Sequence, residues 1–146
     1  MARAAAQIPS ELTRAESTLK EMEARLERTR AMLEEQRSNR FEIEGQRHTL
    51  ERTGDINRLM EIKQRSLALD KSIKELRRSE AESLERIESA KRYVLGLRER
   101  LSRLRQEASS LSEKLEADEV PLEVRPQVQT TLRRVKMQIE MLAGVD

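Results

Sequence analysis

The sequence predicts an all-α protein, an elongated antiparallel coiled coil in which an N-terminal helix and a shorter C-terminal helix pair end to end with one long central helix. Three observations predict this fold. Apolar residues recur every three and four positions from Leu59 to Leu115, which is the heptad pattern of a coiled-coil helix. Proline is absent from Ser10 to Val120, so the strongest helix breaker is missing there. Finally, 38% of the 146 residues are charged and 1% are aromatic, which does not suit a compact globule with a thick core.

The apolar residues of the central helix form a seam, defined as the set of positions that recur at this three-four spacing. Disorder is the competing interpretation of so much charge, but the charges are mixed to a net of +2 and the apolar residues are periodic, which favours a folded helix. Fourteen of the seventeen seam positions are apolar, and the other three are Ser66, Glu80 and Ser83. The seventeen positions are Leu59, Ile62, Ser66, Leu69, Ile73, Leu76, Glu80, Ser83, Ile87, Ala90, Val94, Leu97, Leu101, Leu104, Ala108, Leu111 and Leu115.

The first helix is predicted over residues 10–52, after a flexible segment at residues 1–9. Ser10 is a suitable N-cap, and Glu11 suits the positive end of the helix dipole. A turn is predicted at residues 53–55, because Gly54 can adopt a positive φ and Asp55 can cap the next helix. A bent continuous helix is the alternative. The seam of the first helix is Leu12, Ala15, Leu19, Met22, Leu26, Thr29, Leu33, Gln36, Arg40, Ile43, Arg47 and Leu50.

The central helix is predicted over residues 56–117, followed by a tip linker at 118–125 and a third helix at 126–143. Pro126 suits the first turn of that helix and Gly144 its end. In antiparallel pairing, facing residue numbers add to a constant. The seams of the first and central helices meet this condition at 109 in all twelve layers, and Val128, Leu132, Val135, Ile139 and Leu142 meet it at 243 against Leu115 to Leu101. We therefore expect one elongated domain.

Towards Gly54, charged or polar residues of the first helix face apolar residues of the central helix. Arg47, Arg40 and Gln36 lie opposite Ile62, Leu69 and Ile73. One interpretation is that the arginine stems cover the seam while their charged heads reach water. The other is that this arm is closed by another chain, because an apolar strip without an internal partner marks an interaction surface. The candidate protein-interaction residues are Phe41, Met60, Ile62, Leu67, Leu69 and Ile73.

The sequence does not predict catalysis, a cofactor or a metal site. It has no cysteine, and His48 is its only histidine, so His or Cys metal clusters and a nucleophile activated by histidine are not expected. Glu80 lies inside the seam opposite Thr29, near Arg28 and Arg25, where we expect a polar layer that sets the register. No small-molecule substrate is expected.

A basic block in the central helix raises nucleic-acid binding as an alternative. Such blocks more often select partner and register in coiled coils, and with only Tyr93 and Phe41 able to stack on bases we expect at most contacts to the phosphate backbone. The possible nucleic-acid contacts are Lys91, Arg92, Arg98, Arg100, Arg103 and Arg105.

The leading functional hypothesis is a non-enzymatic structural or assembly protein that acts as a spacer, strut or docking module in a larger complex or as a homo-oligomer. Besides the nucleic-acid alternative, the chain could be an adaptor or chaperone that grips a client with its tips, through a strand-like segment at Val120 to Val124. No apolar run reaches the ~20 residues that span a bilayer, and residues 1–8 do not resemble a signal peptide. We expect a soluble protein, cytoplasmic or part of an intracellular or viral particle, with no membrane partner.

Overall fold

The computed structural model describes residues 10–144, and these fold into three α-helices. The helices are α1 (Glu11–Thr53), α2 (Ile56–Glu116) and α3 (Arg125–Ala143), of 43, 61 and 19 residues. Within residues 10–144 there is no β-strand. Each helix begins and ends within one residue of its predicted bounds, while the flexible segment predicted at residues 1–9 lies outside the described residues.

The ends of α1 and α2 are formed by the capping residues expected from the sequence. The Thr13 amide donates to Ser10 Oγ at 3.2 Å, and the Arg58 amide donates to Asp55 Oδ1 at 3.3 Å. Each cap supplies an acceptor to an amide that has no partner within its helix. Between the two helices Gly54 has a φ of 74°, a left-handed conformation that an L side chain rarely adopts. The chain therefore changes helix at Gly54, as predicted.

The chain divides into two compact units. Unit 2 comprises Glu21–Glu88, and unit 1 comprises the described residues on either side of it. The single elongated domain expected from the sequence stays a prediction.

Unit 1 has a contiguous apolar core to which three helices contribute. Five buried residues form one cluster, and partly buried residues of α1, α2 and α3 pack against it. Gly144 ends α3 beside the start of α1, since a Cβ added to Gly144 would lie 3.7 Å from Ser10 Cβ. Burial of each large aliphatic side chain contributes about 1.5 to 3 kcal/mol. The buried cluster is Leu97, Leu101, Leu104, Val135 and Leu142.

Unit 2 is built from α1 and α2 alone. Its buried apolar residues are Leu26, Leu33, Ile62, Ile73 and Ile87, and Thr29 is buried among them with its hydroxyl donating to the Arg25 carbonyl. Two ion pairs join the helices. Arg30 Nε lies 3.3 Å from Glu80 Oε2, and Arg40 Nε lies 3.0 Å from Asp70 Oδ1. In both pairs the residue numbers add to 110.

The predicted seam is the buried side of the helices. All seventeen seam positions of α2 are buried or half-buried, and so are the five of α3 and eleven of the twelve of α1. The exception is Arg40, which is exposed and directed to Asp70. Glu80 is a half-buried polar position as expected, but its ion-pair partner is Arg30 rather than Arg28 or Arg25.

Candidate interaction surface

The structure separates the six predicted interaction residues into two groups. Phe41, Met60 and Leu67 are exposed, with 82%, 58% and 69% of their surface accessible. By contrast, Ile62 and Ile73 are buried, with 7% and 4% accessible, and Leu69 is half-buried. Of the two interpretations of the sequence, the one in which Ile62, Leu69 and Ile73 form a strip without a partner inside the chain does not agree with this burial. These three residues belong to the interior of unit 2.

Two arginines of α1, Arg40 and Arg47, occupy seam positions towards Gly54. Arg47 is half-buried, and its guanidinium lies 3.3 Å from Glu51 and 3.8 Å from Glu44 of the same helix. Arg40 reaches sideways to Asp70 of α2. Arginine stems at such positions can cover an apolar seam while the charged ends stay in water. Of the two interpretations of the sequence, the one in which arginine stems cover Ile62 and Ile73 agrees with the burial of these residues.

Arg40 and Asp70 form a close ion pair, but Asp70 Oδ1 accepts no hydrogen bond from Arg40. Asp70 Oδ1 is shielded from solvent, and no hydrogen bond to it forms within residues 10–144. Arg40 Nε is nevertheless only 3.0 Å away. Its positive charge is therefore the interaction that compensates the shielded oxygen, although the N–H does not point along the contact.

Exposed apolar residues of α2 in unit 2 follow a second heptad pattern outside the seam. Ile56 and Leu84 are 28 residues, or four heptads, apart, and Met60 and Leu67 are one heptad apart. They are 72%, 42%, 58% and 69% accessible, respectively. In the register of the seam these two heptad positions are neighbours on one side of the helix. Ile56 and Leu84 were not predicted from the sequence, although a heptad count started one position beyond the seam would have found them.

Phe41 of α1 lies on the same side of unit 2 as this second pattern. A shallow groove is lined by Phe41 together with Ile73 and Arg77 of α2, and Arg77 occupies the same heptad position as Ile56 and Leu84. Phe41 is therefore on the edge where α2 exposes its apolar residues. We name this surface the apolar edge and define it as Phe41, Ile56, Met60, Leu67 and Leu84.

The charges along the apolar edge differ in sign between the two helices. At the corresponding heptad positions of unit 2, α1 carries five glutamates and two arginines, whereas α2 carries three basic and two acidic residues, the latter being Asp70 and Glu88. Within residues 10–144, Glu34 of α1 and Lys63, Lys74 and Arg77 of α2 form no ion pair. The α1 side is acidic and the α2 side is basic. The α1 residues are Glu23, Glu27, Arg30, Glu34, Arg37, Glu44 and Glu51.

The six residues of the predicted nucleic-acid block lie in unit 1 and are all exposed. Lys91, Arg98 and Arg105 are spaced by seven residues and share one side of α2, whereas Arg92, Arg100 and Arg103 occupy three other heptad positions. Arg98 is engaged by Glu16 of α1 at 3.2 Å. The structure does not bring the six residues together into one basic patch.

Tyr93, at the edge of unit 1, binds α1. Its hydroxyl donates to Glu11 Oε1 at 2.7 Å. This hydrogen bond raises the pKa of Tyr93 above the usual 10.0, and desolvation and the negative charge of Glu11 act in the same direction. The ring is thus used in a contact within unit 1, and a role in stacking on bases would require that contact to break.

The linker between α2 and α3 contains turns rather than a strand-like element. Arg125 closes it, since its guanidinium lies 2.8 Å from Asp118 Oδ1 and donates to the Leu115 carbonyl at 3.0 Å. Asp118 has a positive φ of 58°. The strand-like segment expected at Val120 to Val124 is therefore wrong, because local turn hydrogen bonds use this backbone. Leu122 is nevertheless 80% accessible.

Comparison with protein families, with curated proteins and with solved structures finds no match to this chain. Within residues 10–144, no helix is long and apolar enough to cross a membrane. In the same residues, no group of three or more acidic or histidine side chains is arranged to hold a metal ion.

Proposed function

We propose that the chain is a non-enzymatic structural and assembly protein whose helices pair as antiparallel coiled coils, and that it serves as a spacer, strut or docking module in a larger complex. The observation that carries the proposal is the division of its apolar residues. The seam closes each unit internally, and a separate apolar edge in unit 2 stays exposed. Exposed apolar surface of this kind marks a contact with another macromolecule.

The antiparallel pairing is supported in each unit by its own contacts. In unit 2, the pairs Arg30 with Glu80 and Arg40 with Asp70 are ten residues apart on both helices and run in opposite directions. In unit 1, Leu142 belongs to the cluster that contains Leu97 and Leu101, and Leu12 packs against that cluster, close to the predicted layers. The elongated end-to-end arrangement belongs to this proposal too.

The size of the native assembly tests the proposed function. Sedimentation of a native extract, with an antibody to the chain as the probe, should place it in a particle much larger than the 17.0 kDa monomer or its dimer. A matched variant with Phe41→Ser and Leu67→Ser should leave that particle while keeping its helix content. Wild-type chain that sediments only as a free monomer or dimer would contradict an assembly role.

Nucleic-acid binding is the second candidate, favoured by the row of Lys91, Arg98 and Arg105 on one side of α2. Neutralising several phosphates gives binding that weakens steeply with salt. A variant with all three residues changed to Glu should lose that binding. The control variant changes Lys71, Arg78 and Arg86, which are exposed residues of the same helix outside the block, to Glu. Wild-type binding to DNA and RNA without a salt dependence would exclude this candidate.

A further inference from the structure

The apolar edge fits a second copy of this chain. We propose that unit 2 of two chains associates through this edge about a two-fold axis parallel to the helices, so that α1 of each copy packs on α2 of the other and the two Gly54 turns lie at the same end. This inference rests on the antiparallel pairing of the proposed function. It identifies a second copy of the chain as the partner that binds the apolar edge.

The composition of unit 2 explains why it gains from such a partner. Its interior holds five buried aliphatic residues and a buried threonine, and several seam positions of α1 are polar or charged. Two helices alone therefore enclose little apolar volume. Four-helix arrangements bury a second face of each helix, and the apolar edge supplies that face.

The charges select the orientation of the two copies. A face-to-face pair in which α1 lies on α1 would bring its glutamate-rich rows together, and like charges at such an interface are unfavourable. With the axis parallel to the helices, the acidic side of α1 meets the basic side of α2 in both halves of the interface. A two-fold contact needs a self-complementary surface, and this alternation of sign provides one.

The register of unit 2 sets the residue pairs between the copies. Facing residues add to 109 or 110 within unit 2, so each α1 residue of the edge lies within three residues of the level of one α2 residue of the other copy at the same heptad position. Phe41 meets Leu67, and His48 meets Met60. Glu34 meets Lys74, Glu44 meets Lys63 and Arg37 meets Asp70. Arg30 meets the like-charged Arg77, but its guanidinium is already held by Glu80 of its own chain.

A charge-exchange experiment tests this arrangement. A basic-edge variant carries Glu34→Lys and Glu44→Lys, so both sides of its edge are basic. An acidic-edge variant carries Lys63→Glu and Lys74→Glu, so both sides are acidic. Sedimentation equilibrium of each variant alone should give the monomer mass of 17.0 kDa. An equimolar mixture should give the heterodimer, because each α1 then faces an α2 of opposite charge. The wild-type protein should dimerise alone.

Matched control variants make equal changes in charge away from the apolar edge. Glu35→Lys with Glu42→Lys, and Lys71→Glu with Arg78→Glu, alter exposed residues at other heptad positions and should dimerise like the wild type. Circular dichroism verifies that every variant keeps its helix content. Phe41→Ser with Leu67→Ser should weaken the dimer by roughly tenfold or more, whereas Met32→Ser, an exposed residue off the edge, should not.

Three results would overturn the inference. The first is a wild-type protein that stays monomeric even at high protein concentration. The second is dimerisation of the basic-edge or the acidic-edge variant alone. The third is failure of their mixture to associate. A monomeric wild-type protein that binds a different protein through Phe41 and Leu67 would also overturn it, while leaving the assembly role intact. The native-extract experiment tests that role independently, so the two failures are distinguishable.

Discussion

Unit 1 and unit 2 use the same heptad pattern and share two helices, yet they distribute their apolar residues differently. In unit 1, Leu97, Leu101 and Leu104 of α2 join Val135 and Leu142 of α3 in one cluster that the start of α1 completes. In unit 2, the seam of α1 includes Thr29, Gln36, Arg40 and Arg47. A heptad pattern therefore defines which side is buried without defining how much apolar surface is enclosed.

This difference indicates that the two units contribute differently to stability and to association with other chains. Unit 1 encloses apolar side chains from three helices in one core, whereas unit 2 has two arginines in the seam of α1 and exposes Phe41, Met60 and Leu67. Apolar residues on the outside add nothing to the stability of a monomer, but they favour burial against another chain. We therefore expect unit 1 to be the more stable unit and unit 2 to be the unit that associates with another chain.

The largest expected effect compares one leucine from each core. Leu101 and Leu33 are both buried, with 6% and 3% of their surface accessible. Leu101→Ala should lower the free energy of unfolding by about 3 to 5 kcal/mol, because the surrounding cluster cannot close the cavity. Leu33→Ala should cost about 2 to 3 kcal/mol, because only two helices surround the site and can relax. Chemical denaturation followed by circular dichroism measures both changes.

Hydrogen exchange resolves the two units in the same variants. Amides around Leu101 and Val135 should exchange more slowly than amides around Leu33 and Ile73 in the wild type, since local opening is easier where fewer apolar contacts hold a helix. Met137→Ala, a change at an exposed position, serves as the control. Equal losses of stability for Leu33→Ala and Leu101→Ala would contradict the difference between the units.

The sequence predicted the helices and their buried sides because both depend on local, periodic information. Gly54, Asp55 and Ser10 mark helix ends through their own backbone and capping chemistry, and those positions were confirmed. The sequence left two interpretations of the seam at Ile62 and Ile73, closure by arginine stems and closure by another chain. A count of apolar layers cannot choose between them, because it treats arginine as polar although its long stem can cover an apolar neighbour.

The candidate surface was predicted only in part. Phe41, Met60 and Leu67 were named as candidate protein-interaction residues. Ile56 and Leu84 were missed, because the pattern that joins them is interrupted by Lys63, Asp70, Lys74 and Arg77. The side of unit 2 on which Phe41 lies depends on the pairing of two helices, which the groove shared with Ile73 and Arg77 reveals. Periodicity within one helix does not contain that information.

Glycine substitutions give the next largest effect and differ in sign between helix and turn. A Cβ added to Gly45 in unit 2 or to Gly96 in unit 1 meets no atom within 4 Å. Each change to alanine should stabilise its unit by about 0.5 to 1 kcal/mol. Gly54→Ala should instead destabilise by about 1 kcal/mol, because its φ of 74° is left-handed. Thermal melts of the three variants compare the changes, and a stabilising Gly54→Ala would contradict the turn geometry.

Arginine variants measure how much the two units depend on side-chain stems. Arg40→Ala should cost about 1 kcal/mol, since it removes both the stem over the seam of unit 2 and the charge beside Asp70. Arg40→Met retains most of the stem and should cost about half as much. For Arg98 of unit 1, which is 60% accessible and pairs with Glu16, alanine and methionine should both cost less than about 0.5 kcal/mol. Urea titrations test this, and equal effects of alanine and methionine at Arg40 would exclude stem coverage.

The smallest expected effect is a pH dependence of stability that Tyr93 gives to unit 1. Tyr93 is the only tyrosine of the chain, so one substitution removes the tyrosine titration. Its hydrogen bond to Glu11 raises the pKa of the phenol, followed in importance by desolvation and the charge of Glu11. The folded chain thus favours the protonated phenol. The stability that this contributes is fully present below the ordinary pKa of 10.0. It is lost as the pH rises through the raised pKa of the folded state. Tyr93→Phe removes this titration, so the difference in melting temperature between wild type and variant should shrink from about pH 8 to about pH 11. The comparison cancels the titration of lysines common to both proteins. A difference that stays constant over this range would show that the contact between Tyr93 and Glu11 contributes nothing to holding α1 on α2 in unit 1.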